Sequence, residues 1–219
     1  MLAVLLVGAC SDGSGESENA AAMAANEAQA DGGGWDVFAT QANEVEGFST
    51  LAEMGQIADV AVIAQATGVD GMRRTGGDGD EGIDLVQVRF EVIRSISDWH
   101  AESVVVELDA GSPAAARALE ERVGGFPPTL LALREKGREE AGFYRLVNSK
   151  SLWTEQPGGG VVAPLVEFFE VPEAAQEERE FAAERAEING LEDLADHLEA
   201  ARQECGPECG RPWKHRNDG

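Results

Sequence analysis

The alternation of side chains over residues 83–96 constrains the fold of this chain more than any other feature. In this segment, IDLVQVRFEVIRSI, Val86 and Phe90 fall on one side, and Gln87 and Arg89 fall on the other. Side chains alternate between two faces only in an extended strand, whereas a helix would bring Arg89 onto nearly the same face as the apolar residues. The segment is therefore predicted to be a half-buried β-strand, and its apolar face needs partner strands.

Apolar runs on both sides of this segment are the predicted partners. They cover residues 57–69, 103–109, 129–133 and 143–147, with shorter runs at 152–154 and 161–166. A helix is predicted over residues 113–123, because Pro113 suits a first helical turn and two glycines follow the segment. A shorter helix is predicted over residues 49–56, with Ser49 or Thr50 as the N-cap. The order predicts an α+β fold that is mainly β.

Five short strands with one helix in the third connection resemble an OB-like barrel. The resemblance is architectural and covers residues 57–166. It implies a small five-stranded barrel with a capping helix, followed by a helical C-terminal tail. The connection over residues 70–82 is then expected to be a polar hairpin tip.

The charge balance argues against a nucleic-acid partner. The chain has 41 Asp and Glu residues against 17 Lys and Arg residues, a net charge of -24. Such a chain repels phosphates. OB-like nucleic-acid binders present basic and aromatic residues on the barrel face, and we expect this chain to lack them, since Tyr144 is its one tyrosine.

The first residues have the composition of a secretory signal. Residues 1–9, MLAVLLVGA, are apolar but too few to cross a bilayer, which takes about 20 apolar residues. The last three residues of this segment and the cysteine that follows, Val7-Gly8-Ala9-Cys10, resemble the lipobox of bacterial lipoproteins. This resemblance implies that the peptide is cut before Cys10, which then carries acyl chains such as palmitate and anchors the protein to a membrane of the cell envelope.

The sequence divides into four predicted segments. A signal peptide occupies residues 1–9, and lipidated Cys10 with a flexible spacer occupies residues 10–47. Residues 11–34 have almost no bulky apolar residue, whereas residues 35–48 are a transitional stretch with scattered apolar residues. The β-barrel domain follows at residues 48–170. The helical tail with a cysteine pair occupies residues 171–219.

Cys205 and Cys209 near the end of the chain allow two interpretations. In an oxidising envelope compartment they would close a small disulfide loop, which is the preferred interpretation. The alternative is a metal site that adds His215, but a second pair of ligands is missing. A redox-active pair is a weaker hypothesis still, because these residues do not open a helix after a strand.

Two other groups of polar residues lack the pattern of a site. The acidic connection suggests calcium, but Gly82 stands where an EF-hand needs a ligand. His100 lies beside Ser97 and Asp98, whereas a catalytic triad combines distant residues with an oxyanion hole. No catalytic residue, cofactor or metal site is therefore predicted.

The sequence predicts a membrane-anchored, non-catalytic binding or scaffolding protein of the envelope. Its partner would be an envelope protein or a small ligand, together with the membrane through the lipid on Cys10. Two alternatives stay open. One is a metal-handling or redox protein that uses Cys205 and Cys209 or the acidic loop, and the other is a hydrolase that uses His100.

Overall fold

The computed structural model describes residues 34–35, 47–75, 83–110, 113–137, 142–165, 176–206 and 209–210. These residues contain seven strands and four α-helices. The strands are β1 (Val60–Thr75), β2 (Ile83–Ser95), β3 (Ser103–Asp109), β4 (Thr129–Glu135), β5 (Phe143–Leu146), β6 (Leu152–Glu155) and β7 (Val161–Val162). The helices are α1 (Leu51–Ile57), α2 (Pro113–Arg122), α3 (Gln176–Ala186) and α4 (Leu191–Cys205).

Five of the strands close into a ring in the order β1-β2-β3-β5-β4, because β4 also pairs with β1. The pairs are antiparallel except β3 with β5, which is parallel. The short strands β6 and β7 extend the sheet from β4. Since α2 lies between β3 and β4, the predicted α+β fold is confirmed, with five strands in a ring and one helix in the third connection.

The central alternation is confirmed along β2, whereas the bounds of β1 were predicted wrongly. The predicted strand covered residues 57–69, but Ile57 ends α1 and β1 runs over Val60–Thr75. The added residues pair with β2, for example Met72 with Val86. Backbone hydrogen bonds to β2 therefore hold this stretch extended, although its glycines favour a turn.

The interior of the ring is filled by side chains from alternate positions of its strands. We call this set the inner core, and its strand residues are Val60, Val62, Ala64, Ala66, Val86, Val88, Phe90, Val104, Val106, Leu108, Leu131 and Leu133. Helix α2 adds Ala116 and Leu119 to the same cluster. The alternation occurs because successive side chains of a strand point to opposite faces.

The outward sides of β1, β4 and β6 are apolar as well. They pack against α1, α3 and α4 in a second cluster, the outer core, which includes Leu51, Met54, Ile57, Ala61, Ile63, Leu130, Ala132, Trp153, Phe181, Leu194 and Leu198. The predicted segments 48–170 and 171–219 thus share one cluster. The tail helices form a layer on this side of the ring.

Helix α1 is capped by side chains from both tail helices. Thr50 is its N-cap and accepts a hydrogen bond from the Glu53 backbone N–H at 3.0 Å. Glu184 of α3 accepts one from the Leu51 backbone N–H at 2.7 Å, and Arg202 of α4 donates to the backbone oxygen of Gly55 at 2.8 Å. Both ends of α1 are thereby satisfied from the tail.

Arg94 ties β2 to α4. It donates to Glu192 at 2.5 Å, to Asp196 at 2.6 Å and to Glu199 at 3.0 Å. Spacings of four and three residues put the carboxylates on one face of the helix. The hydrogen bonds with Asp196 and Glu192 raise the pKa of Arg94 above its ordinary value.

Trp35, the first residue of the transitional stretch 35–48, is part of the folded domain. Its side chain is fully buried in the inner core, stacked on Phe90 with 5.6 Å between ring centroids and edge-on to Phe126 at 4.5 Å. Its Nε1–H donates to Thr129 Oγ1 at 3.2 Å. The burial of Trp35 was not predicted, because a single tryptophan carries no periodic signal.

We expect the substitution Trp35→Ala to lower the free energy of unfolding by about 3–5 kcal/mol, because it leaves a large cavity between two aromatic rings. Urea denaturation measures the change. Trp35→Phe is the matched control. It keeps an aromatic ring, so it should lower the free energy of unfolding by less than Trp35→Ala does. A change below about 0.5 kcal/mol for Trp35→Ala, the size typical of surface positions, would show that Trp35 lies outside the core.

Candidate binding face

One side of the ring presents polar and apolar residues together. We call it the open face; it consists of the outward side chains of β2, β3 and β5 with the neighbouring part of β1. Its members are Asp70, Arg73, Ile83, Leu85, Gln87, Arg89, Glu91, Ile93, Val105, Glu107, Asp109, Phe143 and Arg145, together with Lys136 just after β4. The same alternation that fills the inner core places these side chains outward.

A buried carboxylate lies at the centre of the open face. The side chain of Glu107 is 1% exposed. It accepts hydrogen bonds from Arg73 Nε at 2.6 Å and Nη2 at 2.8 Å, from Gln87 Nε2 at 2.9 Å and from Lys136 Nζ. These donors come from β1, β2 and the residue after β4, so one side chain joins three parts of the ring.

Strand register brings this group together. Glu107 of β3 pairs with Gln87 of β2 and with Arg145 of β5, which places all three side chains in one row across the sheet. Burial acts to raise the pKa of Glu107, but the hydrogen bonds from Arg73, Gln87 and Lys136 outweigh it and lower the pKa to about 2. Glu107 is therefore charged at neutral pH.

An irregularity in β1 creates a second ion pair. Asp70 lies at the register shift between Val69 and Gly71. There its oxygens accept from Arg89 Nε at 2.9 Å and Nη2 at 2.7 Å. The hydrogen bond and charge of Asp70 raise the pKa of Arg89. Asp70 thereby orients the guanidinium on the open face.

Apolar side chains lie among these polar groups. Val105 and Phe143 are neighbours in register and are half-buried. Ile93 is 56% exposed and sits at another register shift between β1 and β2. A mixture of aliphatic, aromatic and arginine side chains is typical of surfaces that bind other molecules.

The open face is close to neutral, although the chain is strongly acidic. Its four cationic residues equal its four acidic residues in number. They are Arg73, Arg89, Lys136 and Arg145 on one side, and Asp70, Glu91, Glu107 and Asp109 on the other. By contrast, α4 has five acidic residues and one arginine. Among the described residues, α4 is thus far more acidic than the open face.

The structure also locates the residues singled out from sequence. His100 is exposed in the loop between β2 and β3. Cys205 and Cys209 are partly exposed, and Cys209 Sγ donates to the Arg202 backbone oxygen at 3.3 Å. The disulfide and the metal site at these cysteines stay predictions. Within the described ranges, no three or more His, Cys, Asp and Glu residues are arranged to hold a metal ion.

Other predicted features lie outside the described residues. These are the signal segment 1–9, Cys10, His215 and the acidic residues 76–82.

The cluster around Glu107 was not predicted from the sequence. The expectation that the barrel face lacks basic and aromatic residues was wrong, because Arg73 was assigned to a hairpin tip, and the outward positions of Arg145 and Phe143 follow only from strand register. One available signal was Glu107 itself, a charged residue within the apolar run SVVVELD.

We expect Glu107→Gln to lower the free energy of unfolding by roughly 3 kcal/mol at pH 7, because Arg73 and Lys136 lose their counter-charge. The folded pKa of about 2 lies below the ordinary value of 4.5. The stabilisation is thus fully present above about pH 4.5 and is lost as the pH falls through about 2. Urea denaturation of the wild type and of Glu107→Gln from pH 7 to pH 2 should show that the difference between their free energies of unfolding becomes smaller.

Glu91→Gln is the matched control for this experiment, since Glu91 is an exposed residue on the same face. It should change the free energy of unfolding by less than about 0.5 kcal/mol. A difference between wild type and Glu107→Gln that stays constant over the whole pH range would contradict the assigned pKa.

Comparisons with protein families, curated proteins and solved structures gave no significant match to this chain. Among the helices of the described part, none is both long and apolar enough to span a membrane.

Proposed function

We propose that this chain is a lipid-anchored protein of the bacterial cell envelope whose β-domain binds or scaffolds a partner and has no catalytic activity. The observation that carries the proposal is the sequence Val7-Gly8-Ala9-Cys10 after an apolar segment. Acylation of Cys10 would place the domain at a membrane surface.

The position of Trp35 is compatible with such an anchor. Trp35 is buried in the inner core, and residues 11–34 separate it from Cys10. A chain of this length reaches about 80 Å when fully extended, at about 3.3–3.6 Å per residue. This is long enough to hold the domain clear of the lipid headgroups.

The open face supports binding over catalysis. Glu107 is the most buried ionisable group of this face. A carboxylate with a pKa of about 2 is a poor general acid or base at neutral pH. Its hydrogen bonds instead hold Arg73 and Gln87 in fixed positions on the face. Such preorganised groups suit recognition.

A metal-handling or redox function is the second candidate. The side chains of Cys205 and Cys209 are both partly exposed, at and just after the end of α4. Elemental analysis of protein purified without chelator tests metal binding, and titration of thiols under denaturing conditions tests the disulfide. Bound metal in stoichiometric amount, lost in Cys205→Ser, would favour this candidate.

We expect mass spectrometry of the membrane fraction to find a chain that starts at Cys10 and carries acyl chains. Cys10→Ser should abolish the lipid and release the protein to the soluble fraction, because the anchoring free energy comes from the acyl chains. Cys205→Ser is the matched control and should stay in the membrane. An unmodified thiol at Cys10 in a chain that still starts with Met1 would exclude the lipoprotein.

A further inference from the structure

We propose that a second copy of this chain occupies the open face, so that two copies pack face to face about a two-fold axis. This inference rests on the proposed use of the open face for binding and does not depend on the lipid anchor. Charge, exposed apolar residues and area each support it.

Charge restricts how two copies can meet. Each chain has a net charge of -24, so most contacts between copies are repulsive. The open face is the nearly neutral surface identified above. The acidic helix α4 packs against β1, β4 and β6 and meets β2 at Arg94, whose guanidinium binds three of its carboxylates. Packing through the open faces therefore leaves most of α4 outside the contact.

Exposed apolar side chains concentrate on this face. Among the described residues, the exposed large hydrophobic side chains are Met72, Ile83 and Ile93. Ile83 and Ile93 lie on the outward side of β2, with half-buried Val105 between them on β3. Burial of these groups against another copy would supply the favourable free energy.

Neighbouring opposite charges suit a two-fold axis. Arg89 and Glu91 both point outward from β2. When two copies are related by a two-fold axis, every contact between two different residues occurs twice, once in each direction. Two antiparallel copies of β2 can thus pair each arginine with a glutamate.

The area is sufficient for a weak dimer. With about 3.3 Å per residue along a strand and about 4.8 Å between strands, the outward sides of β2, β3 and β5 and of residues 70–75 of β1 cover roughly 480 Å². Two copies would bury about 950 Å² in total, which is below the standard size and in the range of weak, transient interfaces. We therefore expect a dissociation constant on the order of 100 μM.

Sedimentation equilibrium of the full chain with Cys10→Ser, which removes the lipid, tests the proposal. We expect a monomer–dimer equilibrium over loading concentrations from about 1 to 500 μM. Added salt should strengthen the dimer, because it screens the long-range repulsion between two acidic chains. A dimer that salt weakens would contradict a neutral interface.

Ile93→Glu should weaken the dimer at least about tenfold, because it places a charge in the apolar part of the interface. Met72→Glu is the matched control, because the exposed fraction of Met72 is 49%, close to the 56% of Ile93. Met72 pairs with Val86, whose side chain faces the interior of the ring, so Met72 lies on the side of the sheet opposite to the open face. It should leave the dissociation constant unchanged. Ile83→Glu is a second variant on the open face, and urea denaturation verifies that each variant folds.

Two results would overturn the proposal. One is a wild-type chain that stays monomeric at every concentration. The other is a dimer that Ile93→Glu and Met72→Glu affect equally. Neither result bears on acylation of Cys10, which mass spectrometry tests separately.

Discussion

Burial of β1 and β4 on both sides is the constraint on which the structure depends. Val62 of β1 points into the inner core, and Ile63 points into the outer core. On β4, Leu131 points into the inner core and Leu130 points into the outer core. Exposing either side would cost about 25 cal/mol for each Å² of apolar surface. The ring therefore needs the helices of the C-terminal tail as a covering layer, and Glu184 and Arg202 attach that layer to α1.

The same constraint determines which side of the ring is available for binding. The helices cover β1, β4 and β6, whereas β2 alternates between buried and exposed residues. The exposed side of β2 belongs to a face on which Glu107 fixes the positions of basic side chains. A rigid polar group between apolar patches gives this face a definite shape, which a specific interaction requires.

The features predicted correctly were those that local pattern determines. The alternation along β2, an N-cap at Ser49 or Thr50 and the proline at the start of α2 are all visible within a few residues, and the structure uses Thr50 as the cap. The features missed depend on contacts between distant segments. Trp35 donates a hydrogen bond to Thr129, and Glu107 accepts one from Arg73. Neither contact produces a periodic pattern in the sequence. The extension of β1 likewise depends on its pairing with β2.

Native-state hydrogen exchange at low denaturant tests the central claim, that the ring and the tail helices form one cooperative unit around doubly buried strands. The account predicts that the amides of Val62 in β1, Leu131 in β4 and Leu198 in α4 exchange with the same free energy of opening, equal to that of global unfolding. If α4 opened at a distinctly lower free energy while β1 and β4 stayed protected, the strands would not need their helical cover, and the account would be contradicted.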